Sequence, residues 1–200
     1  MTEAMANADG SSLAGFAAPV TRATGDQTDQ RAELDRFGLR RVFGRFTTGV
    51  TVMTTGGHVP HGMTANSFTS VSLSPPLVLI CVLRETAMHE AVLDRKSFAV
   101  SVLAAQQEGL ARYFADRRRP HGDQEFAPVD WSPGRFTGSP VVAGALAWLE
   151  CSLTATYDGG DHSIFLGEVL DMGLRDEDDA LLFYDGVFHG LHPTRTRATG

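Results

Sequence analysis

The stretch from Met63 to Ser74 concentrates short hydrogen-bonding side chains directly before an apolar run, Leu77 to Leu83. Its hydroxyls and its one amide belong to Thr64, Asn66, Ser67, Thr69, Ser70, Ser72 and Ser74. This composition leaves two interpretations open: a solvated strand edge or turn, or a cradle where the backbone comes close to a ligand. The exposed N–H groups of such a cradle would suit a carbonyl, a ring nitrogen or a phosphate group.

Two further segments have residue types that could contact a ligand. Thr47-Thr48-Gly49-Val50 is either a connection from a helix to a strand or a second close approach to a ligand. Gly160-Asp161-His162 places a histidine after a tight turn, where histidines are usually only exposed to solvent. Neither segment indicates a function when it is considered by itself.

Other patterns argue against several kinds of site. His58-x-x-His61 has no carboxylate or cysteine set nearby, so we predict loop histidines and no metal site. Cys81 and Cys151 lie in apolar runs without metal-binding spacing, which indicates buried thiols. Arg117-Arg118-Arg119 is typical of a solvated charge cluster, with attraction of an anionic dinucleotide as the alternative. No glycine-rich dinucleotide or phosphate-loop motif occurs, so a Rossmann crevice is excluded.

Bulk properties favour one cytoplasmic domain. The chain has 200 residues, of which 42% are apolar and 20% charged, with a formal net charge of -7. The acidic balance argues against nucleic-acid binding. The first residues lack a basic and apolar signal pattern, and no apolar run approaches the roughly 20 residues that span a bilayer. We therefore expect no membrane association.

The elements that must position these segments are mostly strands. Apolar spacing predicts a helix over residues 29–46, and alternation predicts a long half-buried strand from Ala147 to Tyr157 with a hairpin partner. A last hairpin is expected around Asp185-Gly186. Residues 117–140 show no period and are predicted to form a surface excursion. The prediction is a mainly β barrel or sandwich covered by short helices, occupying residues 29–193, between flexible tails at 1–28 and 194–200.

Taken in order, the segments FTTGV, GMTANSFTSVSLSPPLVLICV and LAWLECSLTATYDGGDHSIFLGEV resemble the flavin reductase-like family. The resemblance runs from Phe37 to Leu191. It implies a split β-barrel, a homodimer and NAD(P)H-dependent reduction of FMN or FAD, with NADH or NADPH as co-substrate. The reduced flavin would often pass to a partner oxygenase. Alternatives are a protein that holds its flavin tightly and acts on another substrate, a non-enzymatic ligand-binding barrel, and a structural interaction domain.

The resemblance also assigns residues to the flavin. Residues carried over as cofactor-binding are Thr48, Gly49, Val50, Met63, Thr64, Ala65, Asn66, Ser67, Ser70, Cys81, Arg84, Thr86, Tyr184 and Phe188. Backbone N–H groups of Thr64–Ser67 would bind the pyrimidine edge, and Arg84 and Thr86 would approach the ribityl and phosphate. His162 would be the catalytic residue, positioning the nicotinamide while the cofactors carry out hydride transfer.

Overall fold

The computed structural model describes residues 35–175 and 179–191. The two predicted tails, and residues 29–34 of the predicted first helix, lie outside the described residues. Three helices are described: α1 Arg36–Phe43, α2 Ala87–Arg95 and α3 Glu108–Ala115. The prediction that the first helix reaches Phe46 is wrong, because the chain turns after Phe43, at Gly44. None of the described helices is long and apolar enough to span a bilayer.

Strands dominate the described chain, which confirms the prediction of a mainly β protein with few helices. Seven antiparallel strands form one sheet in the order β3-β2-β6-β9-β10-β5-β4. Their bounds are β2 Thr51–Thr55, β3 His61–Ala65, β4 Thr69–Leu73, β5 Pro76–Leu83, β6 Ser97–Val102, β9 Ala147–Gly159 and β10 His162–Leu174. A three-stranded sheet contains β1 Thr48–Gly49, β11 Leu181–Tyr184 and β12 Val187–Gly190. A separate pair contains β7 Trp131–Pro133 and β8 Pro140–Val142.

The long hairpin of β9 and β10 confirms the predicted alternating strand and its returning partner. The turn between them uses Gly160 at a φ of 78°, a left-handed conformation that glycine adopts without strain. The Asp158 side chain stabilises this turn by accepting from the Gly160 N–H at 2.8 Å. This turn places His162 at the first position of β10.

The large sheet is buried on both of its faces around β2. Alternate residues of a strand point to opposite faces, so Met53 and Val52 enter different clusters. Met53 packs in a core with residues of β5, β6, β9 and β10 and with Met88 and Val92 of α2. Val52 packs in a second core with Phe114 of α3. The two cores explain why a strand with such polar sequence, TVMTT, is buried throughout.

The segment after α3 is not the surface excursion that its sequence predicts. Glu125 is fully buried, and Arg119 is nearly so. Arg119 Nε and Nη2 lie 3.0 and 2.8 Å from Glu125 Oε1, which also accepts from the Gly62 N–H at 3.0 Å. The prediction that residues 117–119 form a solvated cluster is therefore wrong for Arg119, while Arg117 and Arg118 are exposed.

Burial by itself would raise the pKa of Glu125. Hydrogen bonds from His61, from the Gly62 N–H and from Arg119 outweigh that effect and hold the pKa below its ordinary value. A pKa that is lower in the folded chain means that the carboxylate stabilises the fold at neutral pH. This contribution is lost as the pH falls through the lowered pKa.

Removal of Arg119 should destabilise the fold strongly. Arg119→Gln leaves the Glu125 charge buried with fewer partners, and we expect the free energy of unfolding to fall by about 3–5 kcal/mol. Urea denaturation at neutral pH measures this loss. Arg118→Gln is the matched control, since its side chain is 90% exposed, and it should change stability little. Equal effects of the two substitutions would contradict the assignment of Arg119 as a buried partner.

Candidate functional site

β3 is an edge strand of the large sheet, and Gly62 shows which way its backbone points. The Gly62 N–H donates to Glu125 and its C=O accepts from Arg119, so both groups face away from β2. In an antiparallel pair, alternate residues turn both backbone groups outward. Thr64, two residues along β3, therefore presents its N–H and C=O on the same outer edge.

The side chains of the predicted wall are partly committed to the fold. The Thr64 hydroxyl donates to the Ala111 carbonyl of α3 at 2.6 Å, and Met63 packs against the core. The Ala65 carbonyl accepts from the Thr51 hydroxyl at 2.8 Å. These contacts leave the backbone of Thr64, rather than its hydroxyl, as the group that can meet a ligand.

Ser67 joins the segment after β3 to the middle of β5. Its hydroxyl donates to the Cys81 carbonyl at 2.9 Å and accepts from the Cys81 N–H at 3.1 Å. Burial raises the pKa of the Cys81 thiol, so it stays protonated at neutral pH. Asn66 and Ser70, on either side of Ser67, are exposed. The structure therefore brings together Ser67 and Cys81, which were each predicted to bind the cofactor, and that role stays a prediction.

The Thr48-Gly49 segment is β1, which pairs with β11 through Thr48↔Phe183 and Gly49↔Leu182. The Thr48 hydroxyl is buried without a hydrogen-bond partner among the described residues. A buried hydroxyl without a partner is costly, which suggests that a ligand completes it. A side chain at Gly49 would meet nothing within 4 Å, so the strand is open there. The Val50 side chain lies in the core and leaves only backbone for a ligand.

The hairpin of β11 and β12 brings two aromatic residues to the same small sheet. Tyr184 accepts a hydrogen bond at its hydroxyl from Arg45 Nη1 at 3.0 Å. Phe188 packs at 5.4 Å from Phe183, centroid to centroid, and Arg112 lies 5.0 Å above its ring. Through β1, these residues belong to the same sheet as Thr48.

His162 begins β10 and pairs with Leu83 at the end of β5. Its Nδ1 lies 2.7 Å from Asp161 Oδ1, a contact that orients the imidazole ring. Arg84 Nε donates to the His162 carbonyl at 3.2 Å, and its Nη2 lies 3.1 Å from Asp158 Oδ1. The Gly160 N–H, and then the Arg84 charge, lower the pKa of Asp158.

Arg84 and Thr86, predicted to approach a phosphate, also have structural partners. Arg84 ties the turn of the long hairpin to the end of β5. The Thr86 hydroxyl caps α2, accepting from the His89 N–H at 3.3 Å, and donates to the Leu83 carbonyl at 2.7 Å. Their role toward a ligand stays a prediction.

Sequence reasoning missed Asp161 and Asp158 as partners around His162. Asp161 directly precedes His162 in the Gly160-Asp161-His162 motif, so the sequence itself shows that the two residues are adjacent in the chain. Its contact with Nδ1, and the link from Asp158 to Arg84, depend on side-chain directions that spacing does not reveal.

The sequence matches the family model of the flavin reductase like domain over residues 43–192. The chain belongs to this family.

Individual relatives agree with that assignment. The chain is 55% identical to an NADH-dependent FAD reductase of Streptomyces globisporus over 159 residues, which is 80% of this chain and 87% of the relative. It is 36% identical to HsaB, the reductase subunit of a flavin-dependent monooxygenase of Rhodococcus jostii, covering 88% of this chain and 89% of the relative.

Solved structures show the same relationship. The NADH:FAD oxidoreductase of Streptomyces globisporus C-1027, in complex with NAD and FAD fragments, is similar at 52% identity and a TM-score of 0.77, over 81% of this chain and 96% of that chain. BorF, the flavin reductase component of a bacterial two-component tryptophan halogenase, is similar at 52% identity and a TM-score of 0.77, over 80% of this chain and all of BorF.

Proposed function

We propose that this chain is an NADH-dependent reductase of free flavin, with FAD and FMN as candidate substrates. The observation that carries the proposal is its 55% identity to an NADH-dependent FAD reductase. FMN stays a candidate because another relative, 44% identical, is named an FMN reductase (NADH) from Agrobacterium fabrum. Initial rates with FAD, FMN and riboflavin against NADH and NADPH test the activity. No nicotinamide oxidation with any pair would contradict it.

The residues around β1 and β3 fit a bound flavin. The outward N–H of Thr64 would donate to the pyrimidine edge, where negative charge develops on reduction. The unpaired Thr48 hydroxyl would find its partner there, and the open strand at Gly49 permits close approach. A bound flavin supplies the hydride acceptor, so these residues only need to bind, orient and stabilise charge.

His162 would position the nicotinamide. Asp161 holds Nδ1, which leaves Nε2 on the other side of the ring to meet a carboxamide. Arg84 fixes the backbone of the same residue through its carbonyl. An oriented imidazole reduces the freedom lost when two planar rings are stacked for transfer.

We infer that the large sheet is a split β-barrel with α2 and α3 as covers. One core cluster supports this, because it contains residues of β2, β3, β5, β6, β9 and β10 together. The link through Ser67, which connects the edge strands β3 and β4 while bonding to β5, also supports a curled sheet. The two free cysteines favour the cytoplasm, where thiols stay reduced.

We propose that two copies associate and that an oxygenase component receives the reduced flavin. Support for the oxygenase comes from relatives that are reductase components of a monooxygenase and of a halogenase. Support for the dimer comes from large apolar side chains exposed on β4 and on the far end of β10. These are Val71, Leu73, Leu170, Met172 and Leu174, with Leu73 95% exposed. Such exposure is unusual on a monomer surface.

His162→Ala should impair the reaction without weakening flavin binding. Losing the ring that orients nicotinamide should lower kcat/KM for NADH by about tenfold and leave flavin affinity within about twofold. Stopped-flow rates and flavin fluorescence quenching measure the two quantities. His58→Ala, an exposed loop histidine outside the predicted site, is the control. Unchanged kinetic constants for His162→Ala would contradict its role.

Thr48→Val should change stability and binding in opposite directions. Replacing an unpaired buried hydroxyl by a methyl should stabilise the flavin-free protein by about 1 kcal/mol and weaken flavin binding by about three- to tenfold. Thr55→Val is the matched control, because Thr55, the last residue of β2, has the other unpaired buried hydroxyl among the described residues. It should stabilise equally and leave flavin affinity unchanged. Equal flavin affinity of Thr48→Val and wild type would contradict the contact.

The apolar surface of β4 and β10 should hold the dimer together. Leu73→Asp combined with Met172→Asp places charge at that surface, and we expect a monomer where the wild type is a dimer. Light scattering coupled to gel filtration measures the mass. Val59→Asp, which adds charge at a loop valine that is 53% exposed, should remain dimeric. A wild-type monomer, or a dimeric double variant, would exclude this interface.

A further inference from the structure

Three possible metal ligands meet beside the buried ion pair of Arg119 and Glu125. His61 is the first residue of β3, while His121 and Glu125 come from the segment after α3. One ligand atom from each of these three residues lies within 4.8 Å of the others. His61 is 60 positions from His121 and 64 positions from Glu125 in the chain, and the function proposed above does not use this group.

Glu125 has one oxygen that is held by the Gly62 N–H and by Arg119, and one whose contact with His61 a bound cation would replace. Oε1 accepts from the Gly62 N–H and from Nε and Nη2 of Arg119. Oε2 lies 2.8 Å from His61 Nδ1. Ligating carboxylates are commonly held in place by such hydrogen bonds on the other oxygen. Glu125 is therefore a ligand whose orientation is already fixed by the fold.

We propose that His61, His121 and Glu125 form a binding site for a divalent transition metal ion of the Zn²⁺ type. Two imidazoles and one carboxylate are a ligand set that Zn²⁺, Co²⁺ and Ni²⁺ prefer. Mg²⁺ and Ca²⁺ prefer oxygen ligands throughout and should not compete. Water would complete the coordination, because His121 is exposed to solvent.

The residues around the three ligands determine how an ion reaches the site and how tightly it binds. An open cavity of about 410 Å³ is lined by Pro60 and Phe126, the neighbours of His61 and Glu125 in the chain. His121 is exposed, so an ion can reach it from solvent. The Arg119 charge offsets that of Glu125, so the site is less anionic than one with a free carboxylate. We therefore expect an affinity weaker than that of structural zinc sites, whose ligands carry more negative charge.

The ion would lie on the strand that also carries Thr64, but at its other end. Thr64 is three positions after His61, which is about 10 Å at the rise of an extended chain. The metal site and the flavin site are therefore distinct, and the metal proposal does not depend on the reductase activity. Binding should raise thermal stability, because it joins the segment after α3 to the edge of β3.

Metal titration of the untagged full chain, freed of metal by a chelator, tests the proposal. Calorimetry with Zn²⁺ should give one ion per chain, and Co²⁺ should give the visible absorption of a low-symmetry site. His121→Ala should lose at least about tenfold in Zn²⁺ affinity and lose the Co²⁺ spectrum, since one of three ligands is gone. His121 is exposed, so the variant should fold, which circular dichroism and NADH oxidation with FAD can check.

His58→Ala is the matched control, a nearby histidine outside the group of three. It should bind Zn²⁺ like the wild type. Three outcomes would overturn the proposal: no Zn²⁺ binding by the wild type, wild-type affinity in His121→Ala, or an equal loss in His58→Ala. The last outcome would make His58 a ligand as well and so contradict the group of three.

Discussion

The buried ion pair of Arg119 and Glu125 determines which part of the β3 edge is closed and which is open. Both residues bond to Gly62, so the start of the strand has partners for its outward N–H and C=O. An edge strand without such partners invites pairing with other chains. The cover ends at Gly62, and the outward groups of Thr64 stay available. One interaction thus protects the start of the edge and leaves the outward groups of Thr64 open, as the proposed flavin contact requires.

Around that open stretch, hydrogen bonds within the fold occupy several of the hydroxyl groups. The Ser67 hydroxyl bonds to both backbone groups of Cys81, and the Thr64 hydroxyl donates to the Ala111 carbonyl of α3. Some of the small hydroxyls before β5 therefore satisfy the backbone where the chain passes from one edge strand to the other. The hydroxyls of Thr48 and Thr55 differ from these, because both are buried and have no partner among the described residues.

Local patterns were sufficient for most of the described fold. Alternation predicted the hairpin of β9 and β10, turn residues predicted the hairpin of β11 and β12, and helical spacing predicted α1, although not where it ends. The segment after α3 was misread because its apolar residues have no period. Its burial depends on one carboxylate meeting one guanidinium, and such a pairing leaves no periodic signal in a sequence.

The sequence by itself determined the family and the mainly β architecture, because these follow from local pattern and from ordered motifs; for the segments that would contact a flavin it gave a prediction. Only the tertiary structure decided which groups in those segments are free. It assigned the Thr64 hydroxyl to α3, oriented His162 through Asp161, and brought His121 and Glu125 to His61. The physical reason is that hydrogen bonds and ion pairs join residues distant in the chain, and spacing carries no information about such partners.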